Sequence, residues 1–371
     1  MLPVCDVCSR MLSLSPGLTF GSLATAAFAL ALLFTAEATA PPVSTSVSPG
    51  SDLVKAALNA EGSIGKQGLE ADCRRFEALA KQLQRVNRRS LSDREQVEAV
   101  FNSLHREILT GKYSKPASHL HAALHGGDYN CVPATILFVA LCERCGLQPQ
   151  IWSAPGHVLC RFSFPEPLDV ETTCPDWFEA DRGTSAQRPG LRQISHAQLI
   201  GKVHYNRGIL LLEKGDFPQA LAALRTSVEL DPQDRDACDN LLAGLNNAAI
   251  AACADEQFAE AAELLAEARR IDPHYPPLKT NDVHVHQRWV VQLCGIGEFA
   301  AALELLESGL ARGAGAPLFD SGRLTVYELW ARERLAVGEH DEARALVAKG
   351  LALEPAHPAL LRTQRQIGVG K

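Results

Sequence analysis

The chain has 371 residues, 46% of them apolar, which is enough for two domains or one domain plus a repeat array and is a globular rather than a disordered composition. Its formal charge of -7 comes from 43 acidic and 36 basic residues mixed along the chain. No basic run or stripe could trade places with phosphate counterions, so nucleic acid is excluded as an expected partner.

In chain order, Met11 to Ala36 is uncharged and Leu18 to Phe34 is apolar or small throughout, with Arg10 before it and small residues at Ala36, Ala38 and Ala40 after it. Residues 1–40 are therefore expected to be a secretory signal, with an uncleaved membrane anchor or a mis-assigned start as alternatives. A secreted or periplasmic location follows, and a membrane is a partner only through such an anchor. Eleven cysteines are many for a reducing compartment, and nine remain beyond residue 40, an odd number that fits one reactive thiol among disulfides. Several of the nine (Cys238, Cys253, Cys294) sit on apolar helix faces, where cysteine behaves as a small hydrophobe.

Residues 41–51, with Pro41, Pro42 and Pro49-Gly50, form a linker, and a first domain is expected over 52–195. Gly68 to Arg89 reads as a polar amphipathic helix. Ser92 and Glu95 make a capping box that opens a second helix, whose apolar residues Val97, Val100, Phe101, Leu104 and Ile108 follow helical spacing and which should end at Thr110-Gly111. Residues 112–130 read as loop and carry His119, His121 and His125, either solvated or lining a cleft or metal. A helix then runs from Cys131 or Pro133 to Cys145, closed by Gly146. Short β-like runs follow at Gln150 to Trp152, His157 to Phe164 and Leu168 to Thr172, giving an α+β order.

From about residue 196 to 371 the pattern is helical and repetitive. Ala220, Ala261, Ala302 and Ala343 are 41 residues apart, as are Phe217, Phe258, Phe299 and His340, and Pro232 and Pro273, with Pro355 two periods on. These residues resemble the tetratricopeptide repeat, with small residues where two helices touch, an aromatic after the turn and a Pro ending the second helix. The usual period is about 34, so roughly two extra helical turns must lengthen a helix or a connection in each of four units. In the third unit Ala314 replaces the Pro, which suggests a looser exit.

The chemistry-bearing residues lie in the first domain. Cys131 stands at a helix start, where the first free amides favour a thiolate and can donate to a developing oxyanion. His157 follows the Pro155-Gly156 turn, placed to exchange a proton, and Asp169 and Glu171, two apart on the next strand, could fix its tautomer. Asn130 and Tyr129 are candidates for orienting substrate or an oxyanion, or for a plain turn role. Each piece alone has a structural reading; their order and context make the hypothesis. Cys142 and Cys145 form a Cys-x-x-Cys, but no matching pair follows at zinc spacing, so no metal is expected there, nor any cofactor.

At these residues the chain resembles the transglutaminase-like superfamily, which has a papain-like Cys-His-Asp core. Gly127-Asp128-Tyr129-Asn130-Cys131-Val132-Pro133-Ala134 is similar to its nucleophile segment, Gly156-His157-Val158 to its histidine strand and Val170-Glu171-Thr172-Thr173 to its third motif, usually Val-Asp-Pro-Thr. The resemblance spans about residues 90–180 and implies Cys131 as nucleophile, His157 as proton carrier and Glu171 as the acid, with Asp169 as fallback. It departs from the family in having Glu for Asp, Leu159-Cys160 in place of an aromatic, and no recognisable calcium site. The expected fold is an α+β transglutaminase-like domain followed by an all-α tetratricopeptide-type array. The expected function is cleavage or transfer at amide or peptide bonds of a protein or peptide substrate through a thioester, hydrolysis before cross-linking, with a protein partner on the repeats. The alternative is a non-catalytic interaction scaffold with an inactive core.

Overall fold

A computed structural model describes residues 50–85, 91–179, 190–311 and 316–369. The expected signal or anchor and most of the expected linker lie outside the described residues, as do the end of the helix expected to reach Arg89 and the exit at Ala314. Among the described residues no helix is long and apolar enough to cross a membrane.

The N-terminal core opens on α1 (Ser51–Glu61), which buries Leu53, Val54, Ala57 and Leu58 on one face. It is followed by α2 (Lys66–Gln84) and α3 (Asp93–Glu107). Both arms of the α3 capping box form: the Glu95 N–H donates to Ser92 Oγ, and the Ser92 N–H donates to Glu95 Oε2 at 2.7 Å. The helix ends a turn before Thr110 because the Leu109 N–H reaches back to the Leu104 carbonyl at 2.9 Å and closes it. Within the expected loop stands a short helix, α4 (Leu120–Leu124).

Helix α5 (Cys131–Arg144) is the centre of this core, with every residue from Cys131 to Cys142 buried. A helix apolar all round has to be enclosed on all sides, and here α1, α3, α4 and a sheet surround it. Gly146 ends the turn after α5 at φ 81°, a conformation that costs glycine little.

The sheet contains β1 (Gln150–Ala154), β2 (His157–Phe162), β3 (Leu168–Val170) and β4 (Arg192–Ile194), antiparallel in the order β3-β2-β1-β4. It is small, and β4 is too short to carry a sequence signal. Helices followed by a small antiparallel sheet agree with α+β at the coarsest level; strands of three to six residues do not by themselves identify a family.

The C-terminal part is a stack of helical hairpins: α6 (His196–Glu213) with α7 (Phe217–Leu230), α8 (Arg235–Ala254) with α9 (Phe258–Ile271), α10 (Pro277–Gly295) with α11 (Phe299–Ala311), and α12 (Ala316–Ala336) with α13 (His340–Leu353). Helix α14 (Pro358–Val369) closes it. Ala220, Ala261, Ala302 and Ala343 are fully buried at the helix contacts. At Gly208 the approach is close enough that a Cβ would lie 2.6 Å from Leu224 Cγ. The long period resides in the first helix of each pair: α8, α10 and α12 have 20, 19 and 21 residues, whereas α9, α11 and α13 have 14, 13 and 14. Helix α6 serves both parts, since Leu199, Ile200 and Val203 belong to the N-terminal core.

The cysteine arithmetic is corrected here. All nine cysteines from Cys73 to Cys294 are free thiols. Cys131, Cys142, Cys160 and Cys253 are buried and the other five half-buried, positions in which cysteine packs as a small hydrophobe.

Candidate active site

Strand register explains how the site assembles. Arg161 pairs with Asp169 and Cys160 with Val170, so continuing the ladder sets Glu171 opposite Leu159, with His157 two residues back on the same face. Accordingly His157 Nε2 hydrogen-bonds Glu171 Oε2 at 2.6 Å, and the Cys131 thiol lies near enough to the same ring to raise its pKa. Cysteine, imidazole and carboxylate are thus brought together from α5, β2 and the end of β3.

Burial pulls the His157 pKa down, but the hydrogen bonds and negative charge of Cys131 and Glu171 outweigh it and hold the ring at about 9. The imidazole therefore carries a proton at neutral pH. Thr135, one turn into α5 from Cys131, bonds Thr172 hydroxyl to hydroxyl at 2.9 Å and ties the helix of the thiol to the segment of the acid. The neighbouring thiol Cys160 is fully buried and its pKa is raised, chiefly by burial, so it is not a competing nucleophile.

Three expected site residues have other work. Asp169 is engaged by Arg161, directly opposite in the ladder, with Nε to Oδ1 at 2.5 Å and an η-nitrogen to Oδ2 at 2.8 Å, so the fallback acid is held farther along the same face by an arginine. Asn130 is the N-cap of α5: its Oδ1 accepts from Val132 N–H at 2.9 Å and its Nδ2 donates to the Lys115 carbonyl at 3.0 Å. With that side chain spent, it orients the helix rather than an oxyanion. Tyr129 is 1% exposed and joined through its backbone to Lys112 and Ser114, a structural position. Val132 N–H is thereby used and Pro133 has none.

Sequence reasoning missed two neighbours. Tyr113 is 45% exposed, and its hydroxyl pKa is raised by partial burial and by the charges of Cys131 and Glu171, which places a phenol at the mouth of the site. Its position in a polar loop gave no periodic signal. His105, on α3, packs against Phe101 with ring centroids 4.5 Å apart, and burial lowers its pKa to about 4 against a weak opposing contact with the Thr172 backbone.

The loop histidines are half-exposed, yet each meets a buried carboxylate. His119 Nδ1 meets Glu61 Oε1 at 2.9 Å, His121 Nδ1 meets Asp72 Oδ2 at 2.6 Å and His125 Nε2 meets Asp72 Oδ1 at 2.8 Å. The reason is that α4 packs over the ends of α1 and α2, whose carboxylates need partners once buried.

Compared with known proteins, the tetratricopeptide repeat family matches residues 201–234, the first hairpin of the array. No curated protein matches the chain. Among solved structures, YrrB, a TPR protein with an unusual peptide-binding site, is 15% identical over 44% of this chain and 91% of its own, with a TM-score of 0.18. Menin, in a structure that reveals the binding site for Mixed Lineage Leukemia protein, is 12% identical over 86% of this chain and 91% of its own, with a TM-score of 0.31. Yeast Tom70 is 14% identical over 92% of this chain and 66% of its own, with a TM-score of 0.18. At these scores the structural likenesses carry no argument. The helical hairpins and the matched repeat make the C-terminal part a tetratricopeptide-type array, whereas the match leaves residues 52–195 unassigned.

Proposed function

We propose that the repeat array is a scaffold for a protein or peptide partner and that the N-terminal core is a cysteine-nucleophile site acting on an amide or peptide bond of that partner. The observation that carries the chemical half is the 2.6 Å His157–Glu171 hydrogen bond, with the Cys131 thiol beside the same imidazole and the ring's pKa held at about 9.

In this reading the Cys131 thiolate attacks the carbonyl carbon, and the C–N bond breaks as the His157 imidazolium gives its proton to the leaving amine. Water then attacks the thioester, its proton passing to His157, and the acid leaves as the C–S bond breaks. Glu171 holds the ring and its charge throughout. Hydrolysis rather than amine transfer is the favoured outcome, because water is the default acceptor. An extracytoplasmic location rests on the apolar stretch before residue 40 alone, since nine free thiols place no demand on an oxidising compartment.

A second reading, a scaffold whose core only caps the repeats, is favoured by the 8% exposure of Cys131 and by a family match confined to the repeat. An acyl-trapping experiment separates the two. Incubation with an activated aryl ester should leave one acyl group on Cys131 by peptide mass, absent in Cys131→Ala and strongly reduced in His157→Ala. No adduct on Cys131 in the folded protein would leave the scaffold reading.

A further inference from the structure

Apart from the thiol site, the described residues hold one further convergence of metal-ligating side chains. His121 on α4 and His125 at its C-cap lie four residues apart, and both rings hydrogen-bond the Asp72 carboxylate of α2. The three ligand atoms lie within 4.8 Å of one another. Asp72 is 1% exposed and Glu61, which accepts from the His121 backbone N–H at 3.2 Å and meets His119 at 2.9 Å, is 5% exposed.

The geometry is more than a set of surface hydrogen bonds. Asp72 and Glu61 are both buried and both reach His121, one at its ring and one at its backbone N–H, and among the described residues no Lys or Arg makes an ion pair with either. Buried carboxylates are paired or coordinate metals. Arg75, one turn along α2 from Asp72, donates to the Leu124 carbonyl at 2.9 Å and holds α4 against α2, so the ligands are presented by braced elements.

We propose that Asp72, His121 and His125 form a binding site for a borderline-soft divalent cation of the Zn2+ class. His121 Nδ1, His125 Nε2 and an Asp72 oxygen supply three ligands, and the fourth position stays open to water on the half-exposed side, where the two histidine side chains are 43% and 45% accessible. Imidazole donors disfavour Ca2+ and Mg2+. Tetrahedral ligands at about 2.0–2.1 Å stand roughly 3.3 Å apart, so each histidine nitrogen draws back from Asp72 by about half an ångström while the two nitrogens, within 4.8 Å of one another, settle to the same spacing by rotation of the half-exposed rings. Glu61 is the outer carboxylate that fixes the His121 backbone. Bound metal would staple α2 to α4, immediately ahead of the nucleophile helix.

The test uses the full chain after chelator treatment, titrated with Co2+ alone. One equivalent should give the ligand-field bands of a tetrahedral nitrogen–oxygen site without a thiolate charge-transfer band, and the His121→Gln/His125→Gln variant should lose them. In the unaltered protein, one equivalent of Zn2+ should block diethyl pyrocarbonate modification of His121 and His125 while the exposed His274 stays reactive, a readout independent of any variant's folding. The proposal fails if Co2+ stays octahedral, if the bands are of thiolate origin, if the folded double variant binds like the wild type, or if Zn2+ leaves both modification rates unchanged.

Discussion

His157 sits between a thiol and a buried carboxylate, and both favour its proton. Its folded pKa of about 9 exceeds the ordinary 6.5, so the stabilisation is fully present below pH 6.5 and is lost as pH rises through 9. The shift corresponds to roughly 3 kcal/mol, shared with Cys131. Urea unfolding across pH should therefore find wild type ahead of His157→Gln by most below pH 6.5, with the gap closing toward pH 9 to 10; a gap independent of pH would contradict the pairing. At this scale the meeting of His157 and Glu171 beside Cys131 was legible from residue type and order. The choice between Glu171 and Asp169 was not, because it depends on Arg161 standing opposite Asp169, a matter of register. Asn130 was legible as a neighbour of the thiol, but its cap geometry consumes the side chain that a site role would need.

The element that departs most from its sequence signal is the turn between α8 and α9. Gly215, Gly297 and Gly338 occupy the left-handed conformation in their repeats, and in the second repeat Glu256 holds the same place at φ 61°. A side chain there carries a cost that glycine avoids. Glu256→Gly should raise the unfolding free energy by about 1 kcal/mol in urea melts, and a loss would mean that the Glu side chain contributes something the backbone does not reveal. Fully buried Ala261 meets the opposite constraint. Ala261→Leu should cost about 1–3 kcal/mol by overpacking, read as a lower urea midpoint with unchanged slope. The repeat itself was legible because its period recurs, and the length of the first helices resolves where the extra residues go. Helix α1 and the short α4 were missed: the first has no side-chain cap and follows a Pro- and Ser-rich stretch, and the second has barely more than one turn.

Across the whole molecule the array is fastened to the sheet beside the candidate site. Arg192 on β4 pairs with Asp231 at the end of α7, and Asp236 on α8 accepts from the backbone N–H of Gly156, the residue before His157, at 3.0 Å. A scaffold whose second hairpin grips the histidine turn can relay partner binding to the imidazole. Asp236→Ala should slow Cys131 alkylation roughly threefold to tenfold, about 1 kcal/mol in the barrier, whereas Glu263→Ala, exposed on α9, should not. Equal rates in both variants would mean that the docking is only structural. None of these contacts was legible in the sequence, since they join residues as far as 80 positions apart. The most direct measurement of the central claim is site-resolved alkylation by iodoacetamide at pH 6.5, followed by peptide mass spectrometry. Cys131 should react faster than the more exposed Cys73, whose thiol pKa is raised by burial, and at least about tenfold faster than Cys131 in His157→Ala. A Cys131 that reacts no faster than Cys73 and is indifferent to the histidine substitution would contradict an activated nucleophile.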